Sequence, residues 1–161
     1  MNQRLGSGLA LLGAAAFLVF ALEPRGPLAF YWLPLAAGAG FLTAAAASGR
    51  PGQMWEAGFV LTGWGISAAL VLSGTVDVDP EVGYLVGVGV GVLAACVAAR
   101  RFRLRVTLPG LSLAVLYVVL SYLWGLYGPE TLRTDPAVFA VLIAVRGLVE
   151  LRQSTRGSRA V

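Results

Sequence analysis

The chain has 161 residues, 58% of them apolar and 12% charged, with a mean hydropathy of +0.79. A soluble domain carries roughly 25% charged residues, so this composition excludes a water-soluble fold and points to a lipid environment. All 12 basic residues are arginine against eight acids; there is no histidine, and Cys96 stands alone, so neither an intramolecular disulfide nor the familiar zinc ligand sets can be built.

Six near-continuous apolar stretches follow one another, at 5–22, 27–47, 54–74, 82–99, 106–127 and 136–151. A spanning helix needs about 20 residues, with a usable range of about 17 to 25, so the first five fit and the sixth is short. None shows the apolar/polar alternation of a barrel strand, and in hydrocarbon each must satisfy its own backbone hydrogen bonds, which leaves helices. The first stretch has the look of a secretory signal after Arg4, but it matches the first helix of two later units and is read as retained.

The same hairpin is written three times. Gly8-Leu9-Ala10-Leu11, Gly58-Phe59-Val60-Leu61 and Gly110-Leu111-Ser112-Leu113 each open an apolar run. Each run is followed by an acid-Pro step, at Glu23-Pro24, Asp79-Pro80 and Asp135-Pro136, and a second run then ends at Arg50, Arg101 or Arg152. The acid-Pro steps lie 56 residues apart both times and the arginines 51 apart both times, the mark of a unit copied twice. The expected fold class is all-α: a polytopic membrane protein of six transmembrane helices in three tandem hairpins, about 5–50, 54–101 and 106–152, forming one bundle over 1–152. Three like units entering the membrane the same way should be related by an approximate axis along the bilayer normal. Residues 153–161 read as a disordered basic cytoplasmic tail.

Charge sets the orientation. Arg4, Arg50, Arg100, Arg101, Arg103, Arg105, Arg152, Arg156 and Arg159 fall on one side, and only Arg25 and Arg133 on the other. The positive-inside rule places both termini in the cytoplasm of a multi-pass cell-membrane protein. Glu23, Asp77, Asp79, Glu81, Glu130 and Asp135 fall in the outer turns, so the pI near 9.8 reflects a basic inner face and implies no nucleic-acid groove. The run Arg100-Arg101-Phe102-Arg103-Leu104-Arg105 reads as a topology determinant, with binding of anionic lipid as the alternative. Asp79-Pro80 and Asp135-Pro136 suit an N-cap followed by proline at the first helical position, whereas Glu23-Pro24 is an imperfect copy and Pro27 the better start.

Gly83, Gly87 and Gly91 lie one turn apart on one face of the fourth run, and small residues are what let helices approach closely in lipid, so this is the candidate helix-packing face. Lining a pore or joining two copies are its other uses. Trp32, Trp55, Trp64 and Trp124, with Tyr31, Tyr84, Tyr122 and Tyr127, read as interfacial anchors near the span ends. Cys96, in an Ala-rich run, reads as a small buried apolar residue.

No GxSxG, P-loop, HExxH, CxxC pair or Rossmann glycine set occurs, so no catalytic, cofactor or metal residue is expected, and the acidic stretch Asp77 to Glu81 lacks the spacing of a Ca²⁺ loop. The ionisable residues inside the runs are Glu56, Arg146 and Glu150, all toward the cytoplasmic end. Such residues usually face the bundle and pair, so they form a candidate intramembrane charge cluster: a clamp between the second and third hairpins, or a proton or ion relay.

The pattern of Gly-x-x-Leu opening one helix, a Pro-containing turn and a second helix ending in Gly-x-x-x-x-Arg resembles the small six-helix membrane proteins of the HdeD/DUF308 type. The best match is Ala144-Val145-Arg146-Gly147-Leu148-Val149-Glu150-Leu151-Arg152. The resemblance implies a membrane protein associated with acid stress and names no catalytic residue. Mitochondrial-type carriers also have three two-helix repeats, but their P-x-[DE]-x-x-[KR] motif does not occur here. The expected function is that of a non-enzymatic integral membrane protein, structural or stress-associated, partnered by the lipid bilayer and by further copies of itself. The alternative is a small transporter or channel whose substrate the sequence does not name.

Overall fold

The computed structural model describes residues 3–21, 27–49, 54–127 and 136–157. Among these residues there are six α-helices and no strand: α1 (Gln3–Ala21), α2 (Pro27–Ser48), α3 (Trp55–Leu72), α4 (Pro80–Phe102), α5 (Leu108–Tyr127) and α6 (Pro136–Gly157). By length and composition α3 and α4 are each able to cross a membrane, and shorter apolar stretches occupy 5–20, 32–48 and 108–124. The steps at Glu23-Pro24 and Asp135 lie outside the described residues, although α2 does begin at Pro27 and α6 at Pro136. At the start of α4 the Asp79 carboxylate accepts from the Glu81 N–H at 3.0 Å, with Pro80 at the first helical position, where its missing N–H leaves nothing unpaired.

Two helices outrun the expected stretches. α4 continues through Arg100 and Arg101 and stops only at Arg103, whose φ of 54° is left-handed. The other is α6, which stays helical through Gln153 to Gly157, so the tail does not start at 153 as its polarity suggested. Polarity ends the apolar span but not the helix: Gln and Arg are good helix formers, and no breaker intervenes before Gly157. Ser158–Val161 lie outside the described residues.

Small residues make the close contacts. Along α4 the buried positions are Gly83, Gly87, Gly91, Ala95 and Ala98, and they lie against α3. A methyl group at Gly63 on α3 would sit 2.5 Å from the Gly87 carbonyl oxygen and 2.8 Å from the Gly91 Cα, so the two backbones run in near contact. Ser67 Oγ crosses the same seam and donates to the Gly83 carbonyl. Between α2 and α3, Gly38 abuts Thr62 and Gly58 abuts Leu42; between α1 and α6, Gly8 abuts Leu151 and the Gly147 carbonyl.

The hairpins are not equivalent. α1 packs along α2 and α3 along α4, while α2 joins α3 and α1 joins α6. The third unit departs from the expected symmetry because, among the described residues, α5 and α6 make at most marginal contact with each other. Instead α5 leans on α3, and reaches α4 through the edge-to-face pair Tyr84–Tyr122, with ring centroids 6.0 Å apart. The reason is in the side chains: α5 exposes Leu113, Leu116, Val119, Leu120 and Leu123 and has no row of glycines to admit a neighbour's backbone.

Two single-residue expectations are corrected. Trp64 is 4% exposed within the core, alongside Val60, Leu61 and Ala68, because it falls in mid-helix on the inward face of α3. Cys96 is exposed, because the inward face of α4 at that level is taken by Ala95 and Ala98.

Candidate functional site

The gap left between α5 and α6 is a cavity of about 510 Å³. Its floor comes from α2 and α3 through Phe41, Ala57 and Leu61, one wall from α5 through Leu113, Ala114 and Tyr117, and Arg146 on α6 stands opposite. Arg105 and Thr107, in the segment between α4 and α5, complete it at the arginine-rich end.

Glu56 is the polar centre of the wall. It occupies the first turn of α3 and is 4% exposed. Its Oε1 accepts two hydrogen bonds from Thr107, from the backbone N–H at 2.8 Å and from Oγ1 at 3.2 Å. Thr107 is placed by the local sequence Thr107-Leu108-Pro109-Gly110. Its hydroxyl accepts from the Gly110 N–H at 3.2 Å and its carbonyl from the Leu111 N–H at 3.0 Å, the pattern of an N-cap for α5. The carboxylate therefore sits where the N-termini of α3 and α5 meet, the ends at which the helix dipole favours negative charge. Gly110 makes this approach feasible, since a Cβ there would lie 2.5 Å from Glu56 Oε1. The other oxygen, Oε2, is buried and has no hydrogen-bond partner.

The three charges singled out from sequence divide into two groups. Arg146 Nη2 pairs with Glu150 Oε1 at 2.8 Å, one turn apart on α6. Glu56 shares the cavity with Arg146 but is held by Thr107, so of the partners expected for Arg146 (Glu56, Glu150 or both) the structure pairs it with Glu150. Both Thr107 donors go to Oε1, which lies at the N-termini of α3 and α5. Glu150 is 8% exposed, and Arg146 keeps 42% of its side chain accessible, as a guanidinium reaching toward the polar end would.

Thr107, Gly110 and Arg105 were not singled out by the sequence reading as site residues. The Thr-x-Pro-Gly step was available as a cap signal, but nothing in it names a carboxylate 51 residues earlier as the partner. Among the described residues no group of three or more His, Cys, Asp or Glu is placed to hold a metal ion. What the arrangement offers is recognition chemistry, a buried carboxylate and two guanidinium groups at one end of an apolar-lined cavity. Comparison with protein-family models, with curated proteins and with solved structures finds no match for this chain.

Proposed function

We propose that this chain is a non-enzymatic, multi-pass integral membrane protein with six crossings, both termini in the cytoplasm and a ligand-receiving cleft at its cytoplasmic end. The observation that carries the membrane reading is the inverted packing of α4, where glycine and alanine are buried while Val82, Leu85, Val86, Val90, Leu93 and Val97 are exposed. In water this arrangement has the wrong sign, since each buried Å² of apolar surface is worth about 25 cal/mol and the largest side chains would forgo it. In lipid it is the expected one, because large apolar residues gain nothing by leaving the tails and small ones permit close helix approach. The same outward placement holds for Leu9, Phe17 and Phe20 on α1 and for Val141, Leu142 and Val145 on α6.

A small transporter is the second reading, favoured by the cavity at Glu56 and Arg146. The association with stress rests on the HdeD/DUF308 resemblance. Reporter fusions test the topology: insertions after Arg50, within Arg100 to Arg105 and after Arg152 should read as cytoplasmic, and those at Asp79 and Asp135 as external. A fusion in the 100–105 segment that reads as external, or a chain extracted from membranes by alkaline carbonate, overturns the proposal.

A further inference from the structure

The cleft between α5 and α6 contains two unmet demands. Glu56 Oε2 lacks a donor, and a buried carboxylate oxygen left unsatisfied is the costly kind of polar burial. Arg105, two residues from the Thr107 that holds Glu56, lines the same cavity and has no ion-pair partner among the described residues. Arg146 is paired with Glu150, and no ion pair joins it to Glu56. The same cavity is therefore lined by a buried carboxylate with one oxygen unsatisfied and by a guanidinium with no ion-pair partner among the described residues. The remaining lining is largely apolar, and the volume falls within the range of roughly 300–1,000 Å³ usual for small-molecule sites.

We propose that the cleft binds a phosphoethanolamine group, with the primary ammonium at Glu56, the phosphate at Arg105, and the apolar remainder of the ligand against Phe41, Leu61 and Leu113. A guanidinium fork matches phosphate oxygens in geometry as well as charge. Glu56 and Glu150 disfavour a ligand with a second anionic group, such as a phosphoserine ester. A quaternary trimethylammonium has no N–H to give Glu56. The group can be the head of a phospholipid entering between α5 and α6, or the free phosphate ester; only the first source rests on the membrane reading above.

The test uses the purified full-length chain in neutral detergent. Native mass spectrometry and thermal unfolding are measured with dioleoyl phosphatidylethanolamine, its phosphatidylcholine and phosphatidylglycerol counterparts, and free O-phosphoethanolamine. The ethanolamine lipid should bind about tenfold more tightly than the choline lipid and raise the melting temperature, a difference of the size one charge-assisted hydrogen bond supplies. Glu56→Gln and Arg105→Gln should each abolish that preference. Because Arg105 is exposed and has no ion-pair partner among the described residues, its variant folds whether or not the Glu56 variant does. Binding of free O-phosphoethanolamine at comparable strength assigns the source as the free ester, and binding of the lipid alone assigns it as the head group. Equal binding of ethanolamine and choline lipids with no binding of the free ester, or an unaltered preference in Arg105→Gln, overturns the proposal. A chain that carbonate strips from membranes fails the membrane reading alone, and the free ester still tests this one in water.

Discussion

A matched pair of substitutions on α4 isolates the energetics of its seam with α3. Gly91→Ala and Gly89→Ala make the same chemical change two residues apart in one helix, so the gain in helix propensity, about 1 kcal/mol in water-based scales, is common to both. What differs is space. A Cβ at Gly91 would lie 2.7 Å from the Phe59 carbonyl oxygen and 2.8 Å from the Val60 Cα, whereas at Gly89 it meets nothing within 4 Å. Ordinary contact begins near 3.5 Å, so the methyl group falls short by roughly 0.8 Å. Both neighbours are backbone atoms with no rotamer to yield, and the helices themselves must separate. Overpacking of this kind costs about 1–3 kcal/mol, which in a chain of this length corresponds to a melting temperature roughly 2–12 °C lower for Gly91→Ala than for Gly89→Ala. Thermal unfolding in detergent, followed by circular dichroism or by loss of the monodisperse peak, reads the difference. Equal melting temperatures, or a lower one for Gly89→Ala, would show that the buried seam of α4 lies elsewhere.

Gly110→Ala should displace the Glu56 carboxylate and weaken its bonds to Thr107; hydrogen bonds to charged groups contribute about 1.5–3 kcal/mol, so it should melt well below Gly13→Ala, whose new methyl group meets nothing within 4 Å. Asp79→Ala removes the cap of α4 and should cost about 1 kcal/mol, with faster amide exchange at Glu81 as the local signature. Arg146→Leu should destabilise by stranding Glu150, less than the roughly 3–5 kcal/mol of a fully buried pair because the arginine is 42% accessible, and adding Glu150→Gln should recover most of the loss. Adding Glu56→Gln instead should be additive, and non-additivity there would place Glu56 with Arg146 after all.

The elements were legible because they rest on local information. Apolar runs and proline starts located six helices, and the four-residue spacing of Gly83, Gly87 and Gly91 marked the face that α4 buries. What spacing could not supply was the partner of each face. A glycine row says that something comes close, and only the folded chain puts α3 there. Arg100, Arg101, Gln153 and Arg156 misled at the ends because charge terminates hydropathy while leaving helix propensity intact. Glu56 illustrates the harder limit. Its residue type and depth advertised a need for a partner, and the nearest charge of opposite sign seemed to answer it. Thr107 meets that need at one of the two oxygens, with two neutral donors at a helix N-terminus, a pairing visible only once α5 is set against α3.

The repeat itself explains where the cavity falls. The glycine that opens each unit contacts the second helix of another unit in two cases, Gly58 against Leu42 of α2 and Gly8 against Leu151 of α6. Carried round a ring, Gly110 should abut α4, and α5 should then pair with α6. It abuts Glu56 of α3 instead. The positions equivalent to Glu56 in the other two units, two residues before the repeat glycine, are Gly6 and Leu108, so only the middle unit carries a carboxylate there. That one side chain, with Thr107 as its donor, offers α5 a docking point on α3 that the repeat pattern does not provide. With α5 docked there, α5 and α6 make at most marginal contact among the described residues, and the ring opens at the place where three copies of a hairpin stop being alike. Removing the carboxylate should therefore loosen α5 while leaving the glycine-packed pairs α1/α6, α2/α3 and α3/α4 intact. Amide exchange that rises along α5 in Glu56→Ala, which removes the acceptor of both Thr107 bonds, and stays low along α4 would locate the break in symmetry at this residue.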